Sequence, residues 1–218
     1  FNTGTKEDYQ RVYDSLGIFQ DNNYSKYDEE IIKEATAPAP KISLEKISEI
    51  LTELNNTLVQ SKDHQNKFYN KRGFIMPNDY KSLNKRDLEP LIKKHGEDTI
   101  KTIFFDLNKF VLNDKVIIFH RDFTGRIVYY RLYSFTDNKK FKKLSPKTIE
   151  GLKWSIPFRL ELITPETTRL IINEGEEKAD IGNLYKELCQ TFISIPGINN
   201  YSSLWQVIEK INSNETNI

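Results

Sequence analysis

A chain of 218 residues, 38% hydrophobic, 12% aromatic and 29% charged, is too apolar for disorder and long enough for one large domain or two small ones. Its apolar runs are too short for a transmembrane helix, and one cysteine, Cys189, excludes an internal disulfide framework and a cysteine-rich zinc site. The net charge of +1 conceals three blocks: residues 1–65 carry 7 Lys/Arg against 12 Asp/Glu (−5), residues 66–147 carry 19 against 9 (+10), and residues 148–218 carry 6 against 10 (−4). A basic middle third attracts polyanions through counterion release, although a solvated Lys-rich surface has the same composition. The start at Phe1 without a basic-then-apolar leader gives the expectation of a processed or excised piece of a cytoplasmic protein, with no membrane partner.

In chain order, Thr5 and Gly17 bound a predicted helix over 6–16, and residues 20–41, ending in ATAPAPK, read as a linker. Ser43 caps a second helix, whose Leu44, Ile47, Leu51, Leu54 and Leu58 form one apolar stripe. A third helix is predicted over 85–95, kinked or shortened at Pro90 and stopped by Gly96. From residue 115 the period changes to that of strands. KVIIF (115–119) and RIVYYRLYSF (126–135), separated by a turn at Asp122–Gly125, predict a hairpin. Residues 139–153 read as a Lys-rich loop and RLELI (159–163) as a short strand. The strands TRLIIN (168–173) and TFISI (191–195) alternate with helices over 177–190 and 202–211, which predicts a parallel βαβα unit covered on both faces. In the helix over 177–190, Ile181, Leu184, Tyr185 and Leu188 share the face expected to be buried.

The sharpest local pattern is LIINEGE (170–176). It sets Glu174 and Gly175 at the carboxyl end of a parallel strand, the edge where open α/β sheets bind ligands. A carboxylate there can ligate a divalent cation or move a proton. Glu176 and Glu177 read instead as residues favoured at a helix N-terminus by its dipole. ISIPGINN (193–200) places Gly197 and Asn199 in a loop on the same side of the sheet as Glu174. On the hairpin, Tyr129, Tyr130 and Tyr133 suit either strand packing or stacking on bases. His64, His95 and His120 have no zinc spacing and read as core or surface residues.

Five segments in order resemble the polymerase region of bacterial-type DNA primases, in the form carried by phages and mobile elements. FYNKRGF (68–74) resembles that family's L-x-x-R-G segment, and KVIIFHRDFTGRIV (115–128) with Arg131 is similar to its R-I-I-F-P-I-x-D-x-x-G-R-V-V stretch. FKKLSP (141–146) is similar to its K-Y-L-N-S-P loop, IINEGEEKAD (171–180) resembles the first Toprim motif, and ISIPGINN resembles the second Toprim strand. The resemblance implies an α/β (α+β overall) architecture. A helical segment over 1–65 would precede a basic polymerase subdomain over 66–163 and half of a Toprim domain over 164–218. It implies Glu174 as the catalytic glutamate and part of a Mg²⁺ or Mn²⁺ site. It implies Arg72, Lys115, Arg121, Arg126, Arg131, Lys142 and Lys143 as nucleic-acid contacts, with Gly175, Gly197 and Asn199 lining the crevice.

No D-x-D pair occurs anywhere in the chain, whereas the Toprim pattern places one after the next parallel strand. The expectation is therefore a primase fragment, inactive alone and holding no ordered metal. The whole protein would make short RNA primers, with single-stranded DNA, nucleotides and a replicative helicase as partners. Two other readings fit the same residues: a non-catalytic single-stranded-DNA-binding or replication-interaction module, and a different Toprim enzyme of nuclease or topoisomerase type.

Overall fold

The computed structural model describes residues 41–104, 115–135, 142–143 (backbone), 149–150, 155–195, 204 and 207–208. The helix expected over 6–16, the linker over 20–40, Gly197, Asn199 and most of the Lys-rich loop lie outside them. So does most of the helix expected over 202–211, within which Leu204, Val207 and Ile208 are helical. The described residues belong to one compact unit, Ala39–Ile218.

Helix α1, Leu44–Thr57, starts at its predicted cap: Ser43 stays extended and its hydroxyl accepts the Lys46 N–H at 3.2 Å. The buried stripe is Ile47, Ile50, Leu51 and Leu54. Helix α2, Lys62–Arg72, gives almost no apolar period, because only His64 and Phe68 are buried. Its ends define it instead: Ser61 caps the start, and Gly73 at φ 77° closes the end. Strand β1, Tyr80–Leu83, leads to a 3₁₀ turn, Lys85–Leu88, then helices α3, Glu89–His95, and α4, Glu97–Ile103. Pro90 therefore sits in the first turn of α3, where its missing N–H costs nothing, and does not kink a longer helix.

Strands β2, Lys115–Arg121, and β3, Ile127–Tyr133, form the predicted hairpin. They stand in the middle of an antiparallel sheet ordered β1-β2-β3-β4, with β4 at Lys142–Lys143. The unbroken burial of β2 has a direct cause: its two faces serve two cores. Ile117 and Phe119 join the large core under α1, whereas Val116 and Ile118 join Phe68, Met76, Tyr80, Phe158 and Ala179 on the other face.

The parallel pair is present as predicted: β5, Arg169–Glu174, runs beside β6, Gln190–Ile195, in a register from Arg169↔Gln190 to Glu174↔Ile195. The other edge of β6 is also occupied. Ser194 exchanges backbone hydrogen bonds with Phe158, and the Asn183 amide bonds both the N–H and the C=O of Phe192.

Four expectations fail here. RLELI is not a strand: Arg159 at φ 70° turns the chain into a 3₁₀ turn, Leu160–Leu162, which drives Leu160 and Ile163 into the core at a spacing of three. Helix α5 is shorter than predicted, Glu176–Leu184, and buries Glu176, Ala179 and Asp180. The face expected inward is outside: Leu184, Tyr185 and Leu188 are 62%, 82% and 93% exposed. Strand β5 is not covered on both faces either, since Ile172 is exposed.

Candidate active site and nucleic-acid interface

Glu174 ends β5 at the carboxyl edge of the parallel pair, and its side chain is exposed. Gly175 follows at φ 91°, a conformation open to glycine and strained for other residues, and its N–H reaches the Ile195 carbonyl at 3.3 Å. The Glu174 carboxylate thus faces solvent at a sheet edge. Among the described residues no group of three or more His, Cys, Asp or Glu stands ready to hold a metal. One hard carboxylate oxygen donor at this edge matches the share that Mg²⁺ takes from a protein when substrate phosphates and water complete its shell.

Glu176, two residues on, is buried (4% exposed), which is rare for a glutamate without a partner. Its carboxylate accepts Arg131 Nη1 from β3 in a short bond, and His120 Nε2 from β2 lies 3.4 Å from the same Oε1. The His120 Nδ1 lies 2.9 Å from the Ile156 carbonyl, which only accepts, so Nδ1 carries a proton. Burial alone would push the Glu176 carboxyl up; the adjacent His120 imidazole and the Arg131 charge outweigh it and hold the group at about 2. Glu177 pairs with Arg72 of α2 at 2.7 Å. Both glutamates of the first α5 turn are therefore tied to other elements, a role that reading them as dipole partners misses.

A second ionic centre surrounds Arg159. Its Nε donates to Asp180 Oδ1 at 2.6 Å, its Nη1 donates to Asp79 and to Glu161 at 3.2 Å, and its guanidinium lies 4.3 Å from the Phe158 ring centre. Asp79 also accepts Arg121 Nε at 3.1 Å and Nη2 at 3.0 Å. Burial pushes the Asp180 and Glu161 carboxyls up, against the pull of Arg159. None of these links was legible beforehand, because Asp79, Arg159 and Asp180 meet only in the fold.

The predicted cations divide by exposure. Lys115 is buried, its Nζ donating to Ser134 Oγ at 3.0 Å, and Arg131 faces Glu176, so neither presents its charge on the outer surface expected of a template contact. Arg121 is bound to Asp79 and to the Gly125 carbonyl. Arg72 is partly exposed beside Glu177, and Arg126 is half-exposed beside Asp122. Lys142 and Lys143 form β4 against Leu132 and Arg131. Tyr129, Tyr130 and Tyr133 are 0%, 3% and 6% exposed, so strand packing, not base stacking, occupies their rings. The Tyr130 hydroxyl donates to the Ile103 carbonyl at 2.9 Å, and Lys71 Nζ donates to the Tyr133 hydroxyl at 2.7 Å. Within the described residues, no helix is long and apolar enough to cross a membrane.

No protein-family model matches this chain, and no curated protein matches it either. Solved structures similar in fold include the DnaG primase catalytic domain bound to ssDNA, at 14% identity and TM-score 0.52, covering 76% of this chain and 58% of that one. The Aquifex aeolicus primase (zinc binding and RNA polymerase domains) is 16% identical with TM-score 0.55, covering 94% of this chain and 51% of that one. The DnaG catalytic core is 14% identical with TM-score 0.53, covering 75% and 58%. The chain therefore has the mixed α/β fold of these primase regions and spans between half and three fifths of their lengths.

Proposed function

We propose that this chain is the polymerase region of a DNA primase of the phage or mobile-element type, part of a longer protein that makes short RNA primers on single-stranded DNA. The observation that carries the reading is the exposed Glu174 carboxylate at the carboxyl edge of the parallel pair, in a fold shared with primase catalytic regions. Glu174 is the catalytic carboxylate and one ligand of a Mg²⁺ or Mn²⁺ ion, which when bound neutralises charge on the nucleotide phosphates. The chain's own share is to bind and orient. Arg72, Arg126, Lys142 and Lys143 meet the phosphates of the strand. Gly175 gives the nucleotide close access to the backbone, a role that Gly197 and Asn199 share in the same proposal. The buried Lys115 and Arg131, and Arg121 on Asp79, hold the hairpin in place. A similar structure binds ssDNA, which supports single-stranded DNA as a partner; nucleotides, a replicative helicase, the Toprim remainder and a cytoplasmic site of action belong to the same proposal.

The test has two arms. Fluorescence anisotropy with labelled single-stranded DNA should show binding that weakens with salt; contacts to about four phosphates predict a roughly 600-fold loss per tenfold rise in salt. Primer synthesis by the longer protein should disappear in Glu174→Gln, which keeps shape and removes charge, while strand binding stays within about twofold because its contacts lie elsewhere. Synthesis at the wild-type rate in that variant would remove Glu174 from the chemistry. A non-catalytic single-strand-binding module is the second reading, favoured by the net +10 of residues 66–147, which attracts a polyanion without requiring chemistry. Binding without synthesis in the longer protein would establish it.

A further inference from the structure

We propose that Glu176 is the positioning residue for Glu174, held by Arg131 and His120 of the hairpin so that the loop 174–176 keeps one conformation at the sheet edge. The inference rests on the reading of Glu174 as the working carboxylate. Glu174 is exposed at the end of β5, and the backbone on either side sets where its side chain departs. On one side β5 is fixed by its register with β6, and the Gly175 N–H reaches the Ile195 carbonyl. On the other side the chain passes through Gly175 at φ 91°, a residue whose backbone has many alternatives. The next anchor is the Glu176 side chain, and it is anchored on the β2–β3 hairpin.

That anchor is built with care for charge. Arg131 comes from β3 with its side chain 11% exposed, and it spends its guanidinium on Glu176. His120 comes from β2, is fully buried, is oriented through Nδ1 by the Ile156 carbonyl, and packs at 5.3 Å from the Tyr129 ring and 5.1 Å from the Phe158 ring. The imidazole cannot turn without losing those contacts, so its Nε2 edge stays packed 3.4 Å from Glu176 Oε1. A glutamate present only to favour a helix start would remain in solvent. Here the first side chain of α5 is clamped by two strands, and the catalytic loop is stretched between the clamp and β6. The clamp also joins the hairpin to the loop that presents the carboxylate.

Nitroxide spectra test this in the 218-residue chain. Cys189 is replaced by Asn, which tolerates its φ of 62°. A label is then placed at Glu174→Cys, or at Leu184→Cys as the control at the far end of α5. Glu176→Gln and His120→Gln should each shorten the rotational correlation time at position 174 by about twofold or more and leave position 184 unchanged. Arg131→Lys, which keeps the charge, should retain more of the slow component than Arg131→Gln. Folded variants with an unchanged spectrum at 174, or with equal loosening at 174 and 184, overturn the proposal, since a residue that merely stabilises the fold gives one of those results. If Glu176→Gln does not fold, the Arg131→Lys and Arg131→Gln pair decides. The label replaces Glu174 itself, so the outcome is independent of whether that carboxylate is catalytic, which primer synthesis by Glu174→Gln decides separately.

Discussion

Asp122 shows how much one side chain can organise when its neighbours supply donors. Its Oδ1 accepts the Thr124 N–H at 2.9 Å, the Thr124 hydroxyl at 2.6 Å and the Arg126 N–H at 3.1 Å, and its Oδ2 accepts Arg126 Nε at 2.9 Å. Partial burial would push this carboxyl up, but the bonds from Thr124 and Arg126 outweigh it and hold it below its ordinary value. Asp122→Asn keeps the size and loses the charge, and should cost about 1 kcal/mol at neutral pH. A lowered folded pKa means that this stability is present above the ordinary aspartate range and is lost as pH falls below it. Urea unfolding of both proteins at neutral pH and near pH 3 should show the difference closing; a constant difference would mean that the carboxylate charge is not what orders the turn. This turn was legible because all its parts lie within five residues. Glu176 was not, because Arg131 and His120 precede it by 45 and 56 positions in the chain and no local pattern announces them.

Helix α5 meets β6 through its smallest residue, and the contact leaves no space. A Cβ built on Gly182 would lie 2.2 Å from Phe192 Cδ1 and 2.4 Å from Cγ, atoms in the body of the ring. Alanine in place of a helical glycine would ordinarily add about 1 kcal/mol, whereas overpacking costs about 1–3 kcal/mol. Gly182→Ala should therefore lower stability by about 1 kcal/mol or more, and adding Phe192→Leu should restore part of the loss. Thermal unfolding of the single and double variants checks this, and a stabilised single variant would show that helix and strand are not in contact there. The same packing explains why the apolar face of α5 was misread. Ala179 and Gly182 permit close approach, and Glu176 and Asp180 are buried because Arg131 and Arg159 meet them. Ile181, Leu184 and Tyr185 are left outside. Apolar periodicity locates a buried face only where burial is apolar. Where it is, in α1 and the hairpin, the reading holds.

The whole unit is assembled on strand β2, whose alternate residues feed two cores, and it is joined across the second core by charge. Period and turn residues revealed the hairpin and the parallel pair separately. Their junction was invisible because it consists of Asp79, Arg121, Arg159, Glu161 and Asp180, the first and third 80 positions apart. Arg159 is the hub, its side chain 12% exposed among three carboxylates. Arg159→Met keeps most of the apolar contact with Phe158 and removes the cation, which leaves Asp180 and Glu161 buried without their partner. Losing one member of such a buried network costs about 3–5 kcal/mol. Burial already pushes both carboxyls up while Arg159 opposes it, so the substitution raises them further. A carboxyl raised by folding imposes its penalty while ionised and is relieved as pH falls through its folded value. The stability deficit of Arg159→Met should therefore be largest near pH 8 and shrink toward pH 5 because the variant is relieved, whereas the Asp122→Asn deficit closes because the wild-type carboxylate loses its stabilisation. Denaturant titrations of the two proteins across that range measure it directly. A deficit that stayed constant or grew on acidification would show that Arg159 acts through its packing on Phe158 and not as the counter-charge that joins the hairpin to the parallel pair.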